Sequence, residues 1–214
     1  MVLDLIQSIL TNNYRNLSTF RKASKILKYF PLHKDDVVID CGANDGTEIS
    51  LFLKSGCQVY AFEPNPDAFS VLHNRFKGNR KVLCLNQAVL DRNGKMKLYL
   101  HLNSRQNRIK WSTGSSLYYK KGNVSEHDSV IVSVVDLSEF INKLNTRIRL
   151  LKIDIEGAEY AVINKLINTG VVNKIDYILV ETHKIDDDDL NKAANELMRA
   201  IKKRGISNIY FNWY

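Results

Sequence analysis

Cysteine and proline are scarce in this chain of 214 residues, and no apolar run is as long as a membrane span. The three cysteines, Cys41, Cys57 and Cys84, are odd in number and lack metal-ligand spacing. They argue against a disulfide framework, and we expect reduced thiols in the core. The first residues also lack the basic start and the cleavage site of a secretory signal. The sequence therefore predicts a cytoplasmic protein without a membrane span.

Basic residues outnumber acidic residues: the chain has 31 Lys and Arg and 23 Asp and Glu, which gives a formal net charge of +8. The basic residues are spread along the chain and are not interleaved with aromatic residues on one element, so we expect no nucleic-acid partner. A basic surface still suits an anionic glycan or a nucleotide-linked sugar. Length and a hydrophobic content of 44% fit one domain with a full core. We expect a helical cap over residues 1–34 and a core over 35–214.

One strand, loop and helix start organise the rest of the chain. An apolar run begins at Val37, a polar turn follows with two glycines, and apolar residues resume at Ile49 with helical spacing. In an open parallel sheet such a loop lies at the carboxyl edge, where ligands bind, and the N–H groups of the new helix favour polar or anionic atoms. The candidate binding residues in this loop are Asp40, Gly42, Asn44, Asp45 and Gly46.

The glycine spacing limits which classes of ligand can bind at this loop. A dinucleotide fingerprint has a glycine where this chain has Asn44, and that side chain would obstruct a pyrophosphate. About twenty residues later, a second predicted strand ends in Glu63, which can accept hydrogen bonds from two ribose hydroxyls. Both features favour a nucleoside without a pyrophosphate. S-adenosylmethionine is the commonest such cofactor, and Asp40 or Asp45 can meet its amino group.

The later chain adds β structure and a polar loop. Residues 81–89 predict a third strand with its exit loop, and residues 91–135 predict an inserted β-hairpin region. Between the hairpin strands, residues 111–119 are rich in hydroxyls and aromatic rings, which are the groups that bind sugar rings. We expect part of the acceptor or cofactor wall here, and an ordinary surface hairpin remains a close alternative.

Carboxylates follow the next predicted strand, residues 148–153. Lys152, Asp154 and Glu156 alternate onto one side of an extended chain, and Glu159 lies close by. The strand over residues 175–180 ends before Glu181 and His183 and should neighbour the first, so the acids and the histidine can converge. The candidate catalytic residues are therefore Lys152, Asp154, Glu181 and His183.

The sequence does not decide which of these candidate residues is the catalytic base. His183 suits the role by its ordinary pKa, with Glu181 orienting it, while Asp154 can act as the base itself or bind the methionine amino group. Two acids and a histidine also suggest a divalent cation, but the spacing matches no recognised metal signature. The expected site therefore contains no metal.

Four motifs in this order resemble the FkbM family of S-adenosylmethionine-dependent O-methyltransferases. The matching segments are Val38–Gly46, Ala61–Pro66, Leu151–Glu159 and Val180–His183, and the element Gly114–Ser116 is also similar. The resemblance implies an α/β fold with a mostly parallel Rossmann-like sheet and helices on both faces. It also implies a cofactor site that includes Pro64, Ser115 and, beside the adenine ring, Gln87 and Ala88.

The resemblance implies methylation of hydroxyls on sugars, polyketides and related molecules. We therefore expect an S-adenosylmethionine-dependent O-methyltransferase that acts on a sugar or glycan hydroxyl. The alternatives are a non-catalytic nucleoside-binding module and a methyltransferase for a non-sugar small molecule or a nucleic acid. The sequence predicts no oligomeric state.

Overall fold

The computed structural model describes residues 21, 23–183 and 185–212 of the chain. A helix over residues 23–29 (α1) precedes the first strand. The other elements are β1 (Val37–Cys41), α2 (Thr47–Phe52), β2 (Gln58–Phe62), α3 (Pro66–Phe76), β3 (Val82–Leu85), β4 (Gln87–Leu90), β5 (Gly94–His101), β6 (Val124–Asp136), α4 (Leu137–Leu144), β7 (Ile148–Ile153), α5 (Glu159–Asn168), β8 (Ile175–Val180), α6 (Asp188–Lys203) and β9 (Ile209–Phe211).

The main sheet has six strands in the order β3-β2-β1-β7-β8-β9, and every neighbouring pair is parallel. The chain moves outwards from β1 to β3 and then returns to the other side of β1 with β7. The strand order therefore reverses between β1 and β7, and ligands bind at such a switch point in open α/β sheets. This topology confirms the expected Rossmann-like α/β fold.

Alternating side chains along the strands fill two cores, one on each face of the main sheet. Ile39, Leu151 and Ile178 pack in the core that includes buried residues of α4, α5 and α6. Val38 and Leu150 pack in the other core, with buried residues of α1, α2 and α3. Helices therefore cover both faces, as expected, because strands apolar on both sides must be buried on both sides.

A second sheet of three strands, in the order β4-β6-β5, contains the expected inserted hairpin. β5 and β6 are antiparallel, and β4 is parallel to β6. The prediction of an exit loop at Gln87 and Ala88 is wrong, because both residues belong to β4. The side-chain amide of Asn86 donates to the carbonyls of Glu63 and Pro64 at 2.8 and 3.2 Å, and β3 ends just before it.

The expected helical cap falls partly outside the described residues, which omit 1–20 and 22. In α1, Ala23 and Ile26 are fully buried against the sheet, as expected for a helix that covers it. The last strand described is β9, which is parallel to β8, and residues 213–214 again lie outside the described part. None of the helices described here combines the length and the apolar character needed to cross a bilayer.

Candidate functional site

A cleft of about 640 Å³, including its open mouth, lies at the carboxyl ends of β1, β2 and β7. Its walls come from both sheets and from the segment between β5 and β6, which we call the 102–123 loop. The lining residues are Gly42, Asn44, Phe62, Glu63, Pro64, Gln87, Ala88, Val89, Leu98, Ser112, Thr113, Gly114, Ser115, Leu117, Asp154, Ile155 and Glu156. Eight predicted site residues are among them: Gly42, Asn44, Glu63, Pro64, Gln87, Ala88, Ser115 and Asp154.

The turn after β1 is shaped by close backbone approach. Gly42 has φ +88°, and a Cβ on it would lie 1.8 Å from the carbonyl oxygen of Asp154. Only glycine fits there, because the clash is with backbone and a side chain would also be strained at this φ. Gly46 has φ +77°, and a Cβ would collide with Leu72 and Phe76 of α3. The two glycines bring this turn against β7 and α3.

Glu63 is buried at the end of β2 and lines the cleft. Its Oε1 accepts the N–H of Asn65 at 2.8 Å, and its Oε2 accepts the N–H of Asn44 at 2.9 Å. Burial raises the pKa of Glu63 to about 7, although these hydrogen bonds lower it. Because each carboxylate oxygen has two lone pairs, one position on each remains for a donor from a ligand.

Asp40 and Asp45 do not line the cleft. Asp40 is buried beside Lys152, which is its partner across β1 and β7 and lies 3.2 Å away. Asp45 accepts the backbone N–H of Thr47 at 3.0 Å at the start of α2 and pairs with Arg75 at 3.3 Å. The structure therefore gives both acids partners in the fold.

Lys152 is buried among carboxylates and lies behind the cleft wall. Its Nζ is 3.2 Å from Asp40, 3.1 Å from Glu48 and 3.7 Å from Asp154. Burial alone would lower the pKa of Lys152, but these three charges raise it well above its ordinary value. The ammonium therefore stays charged and holds Asp154 in place. Glu48 was not predicted, because it follows the loop in a helix and has no motif of its own.

Asp154 and His183 converge because β7 and β8 are neighbours, which confirms the expected pairing of these strands. His183 Nε2 is 3.7 Å from Asp154 Oδ1 and 3.3 Å from Glu156 Oε2. Burial raises the pKa of Asp154 to about 6, opposed mainly by the charge of Lys152. Glu181 follows β8, and its charge also raises the pKa of Asp154.

The other side of the His183 ring is held by Glu159. Nδ1 lies 2.8 Å from Oε1 of Glu159, which is fully buried and also accepts the N–H of Gly157 at 3.0 Å. The orienting residue predicted from the sequence was Glu181. Burial lowers the pKa of His183, but the bond to Glu159 and the nearby carboxylates raise it to about 9. The imidazole keeps its proton at neutral pH, so it donates hydrogen bonds and is a poor base.

The 102–123 loop is fixed to the turn after β7 and to the turn after β2. Ser116 Oγ donates to the carbonyl oxygen of Glu156 at 2.6 Å, and Asn65 Nδ2 donates to Ser115 Oγ at 3.3 Å. Lys121 is buried, with its Nζ bonded to the Glu156 carboxylate and to the Gly114 carbonyl. The loop is therefore part of the cleft and not an ordinary surface hairpin. The role of Lys121 was not predicted, since Lys120 beside it looks the same in sequence.

Comparison with known proteins gives a family. The methyltransferase FkbM domain matches residues 40–206. Hexuronic acid methyltransferase AglP of Haloferax volcanii is 28% identical over 166 residues, which are 76% of this chain and 63% of that protein. 2-O-methyltransferase NoeI of Sinorhizobium fredii is 26% identical over 60% of this chain and 56% of that protein. The matches therefore span about 60% of these curated relatives.

Solved structures also resemble this chain at low sequence identity. Precorrin 8W decarboxylase of Methanobacterium thermoautotrophicum has a TM-score of 0.46 at 15% identity, covering 87% of this chain and 72% of that one. An rRNA methylase of Streptococcus thermophilus has a TM-score of 0.44 at 11% identity, covering 86% of this chain and 80% of that one. Similarity at this level carries no functional argument. The match over residues 40–206, together with the Rossmann-like sheet and the cleft at its switch point, shows that this chain belongs to the FkbM methyltransferase family.

Proposed function

We propose that this protein is an S-adenosylmethionine-dependent O-methyltransferase whose acceptor is a sugar hydroxyl. The observation that carries the proposal is Glu63, which is buried at the cleft with each oxygen already held by one backbone amide. Such a carboxylate suits the two hydroxyls of a ribose. Asn44 excludes the close backbone approach that a pyrophosphate requires, which favours a nucleoside with a small zwitterionic tail.

The residues that would hold the cofactor come from both sheets. Glu63 would accept hydrogen bonds from the ribose, and Gln87 and Ala88 of β4, which line the cleft, would bind the adenine. Gly42 and Asn44 would bind the methionine part, in the same cleft as Asp154. Pro64 and Ser115 complete the wall. The cofactor supplies a positively charged sulfonium with a reactive methyl group, and the protein holds the acceptor in line with it.

Methyl transfer is an in-line displacement, so much of the rate comes from alignment of the acceptor oxygen with the methyl carbon. The new oxygen–carbon bond forms while the carbon–sulfur bond breaks, and its electron pair goes to sulfur. The hydroxyl proton must leave to a base. We assign this base to Asp154, because it lines the cleft, whereas His183 and Glu181 are not among the lining residues. Lys152 and His183 hold Asp154 from two sides.

The acceptor class is supported by the 102–123 loop. It places Ser112, Thr113 and Ser115 on the cleft wall, and sugar rings bind to hydroxyls and aromatic faces. One relative is named a hexuronic acid methyltransferase. We therefore propose a uronic acid, within a glycan, as the first acceptor to test.

The test is product formation from S-adenosylmethionine with a panel of uronic acid glycosides and neutral glycosides. We expect S-adenosylhomocysteine to accumulate only with an acceptor. Asp154→Asn should lower kcat about 10²-fold or more, because a general base contributes that much, while the Kd for S-adenosylhomocysteine changes less than about threefold. Asp186→Asn, at an exposed site, is the matched control and should leave both values unchanged.

Three outcomes would contradict this proposal in different ways. Absence of S-adenosylhomocysteine binding in calorimetry rejects the cofactor. Binding without turnover on any acceptor favours the non-catalytic nucleoside-binding module. Turnover on a nucleic acid, with steep salt dependence of binding, would replace the sugar as the substrate class.

A further inference from the structure

Three side chains around the turns after β7 and β8 offer ligand atoms that lie close together. Asp154, Glu156 and His183 each present one carboxylate oxygen or imidazole nitrogen, and these atoms lie within 4.8 Å of one another. His183 Nε2 is 3.3 Å from Glu156 Oε2 and 3.7 Å from Asp154 Oδ1. Ligands that share one divalent cation at about 2.1 Å lie roughly 3.0 to 3.4 Å apart. The separations from Nε2 are close to that spacing.

The histidine is held in the way that metal-binding histidines are. Glu159 bonds to Nδ1 at 2.8 Å from a fully buried position, and two backbone contacts fix that carboxylate, the N–H of Gly157 at 3.0 Å and that of Ile155 at 3.3 Å. A carboxylate on the ring nitrogen that does not bind the metal fixes the ring and makes the other nitrogen a better ligand. In His183 that other nitrogen is Nε2, which faces Asp154 and Glu156, and a cation bound there would displace the Nε2 proton.

Two lysines border this cluster, and they affect it differently. Lys152 approaches Asp154 at Oδ2, which leaves Oδ1 on the side of His183. Lys121 instead bonds to Oε2 of Glu156, the oxygen that also faces His183. The Lys121 ammonium therefore competes with a cation for one ligand oxygen. Its removal should strengthen cation binding, whereas removal of a ligand should weaken it.

We propose that Asp154, Glu156 and His183 bind one divalent cation, Mg²⁺ or Mn²⁺, at the edge of the cleft. Oxygen ligands with one imidazole suit these ions, and water or the acceptor hydroxyl completes the coordination. The sequence predicted no metal here, because the spacing of these residues matches no recognised metal signature. Only the role of the ion rests on the proposed function: it would hold the acceptor oxygen and make its hydroxyl a stronger acid.

The test is the binding of Mn²⁺ alone to the purified full chain. Electron paramagnetic resonance measures this binding as a loss of the free-ion signal. We expect one Mn²⁺ per chain. His183→Ala and Asp154→Asn should each weaken binding about tenfold or more, and Glu159→Gln about 10- to 100-fold through the orientation of His183. Lys121→Met should increase Mn²⁺ affinity several-fold, because it removes the ammonium that competes with the cation for the Glu156 carboxylate.

Lys120→Met is the matched control, because this neighbouring lysine is paired with Asp187 instead and its removal should leave Mn²⁺ affinity unchanged. Absence of binding at millimolar Mn²⁺ overturns the site. So does binding that survives His183→Ala, or a Lys121→Met variant no tighter than Lys120→Met. Circular dichroism of each variant reports folding. If the protein does not bind Mn²⁺ and still transfers methyl groups in the presence of a chelator, the metal site is wrong. The proposed function is then unaffected.

Discussion

At the scale of single residues, buried carboxylates in this protein differ in what surrounds them. Glu63 accepts hydrogen bonds from two backbone amides, and burial raises its pKa to about 7. Asp40 instead pairs with the buried Lys152. Burial outweighs the two amide hydrogen bonds at Glu63, so this carboxylate changes charge close to neutral pH. Glu63 therefore couples ligand binding to pH.

This coupling gives a prediction for cofactor binding. The ionised form of Glu63 is the better acceptor for ribose hydroxyls, and it becomes the main form as the pH rises through about 7. The Kd for S-adenosylhomocysteine should therefore fall up to about tenfold between pH 6 and pH 8, following the ionised fraction. Glu63→Gln should weaken binding at pH 8 and remove most of this pH dependence. Isothermal titration calorimetry at both pH values measures it.

Glu126→Gln serves as the control for that experiment, because Glu126 is exposed on β6. It should bind with the affinity and the pH dependence of the unmodified protein. An affinity that falls as the pH rises, or a pH dependence that persists in Glu63→Gln, would assign the titrating group elsewhere.

At the scale of elements, the turn after β1 packs so closely against the end of β7 that only glycine fits at position 42. A Cβ at Gly42 would lie 1.8 Å from the carbonyl oxygen of Asp154, and the N–H of Asp154 donates to Cys41 at 3.0 Å. The position of Asp154 at the cleft therefore depends on a turn that also lines the cleft. In the proposed function, binding and chemistry share this piece of backbone.

We therefore predict that Gly42→Ala destabilises the protein far more than alanine at a glycine of similar conformation. Gly78 has φ +81°, close to the +88° of Gly42, but a Cβ on it meets no described atom within 4 Å. Gly78→Ala should cost about 1 kcal/mol from backbone strain alone. Gly42→Ala should exceed that by about 2 kcal/mol or more, because backbone must move. Urea denaturation of both variants measures the difference, and equal values would show that the turn can shift freely.

At the scale of the whole molecule, the cleft joins two sheets that pair with no common strand in the described part of the chain. The main sheet contributes Glu63 and Asp154, while the second sheet contributes Gln87 and Ala88 through β4. A ligand that contacts both walls stabilises their arrangement, because it binds only the folded cleft. The two sheets should therefore respond to the same ligand together.

We predict that S-adenosylhomocysteine slows amide hydrogen exchange in both walls at once. Exchange should slow in the turn at residues 42–46, in β4 and in residues 112–117 of the 102–123 loop, because opening of the cleft requires release of the ligand. Exchange in α6, which contributes no cleft residue, should change little and is the internal control. Protection confined to residues 42–46 would place the nucleoside on the main sheet alone.

By itself, the sequence determined the parallel sheet, the turn at Gly42 and the carboxylates at strand ends. These features follow from local patterns, and the rule that parallel strands end at one edge is enough to bring Asp154 and His183 together. The inserted hairpin also followed from alternation in residues 91–135. The boundary at Asn86 did not, since an apolar run gives no sign of the point at which a chain leaves one sheet for another.

Only the tertiary structure decided which partners those residues have and which charges they carry. Glu159 holds His183, and Lys121 reaches Glu156 from 35 residues away. Neither contact has a sequence pattern, because each depends on how separate segments pack. The raised pKa of His183 also comes from packing, because burial lowers it but the bond to Glu159 and the charges of the nearby carboxylates raise it more. Sequence therefore predicted which strand ends meet at the cleft, and packing set the electrostatics there.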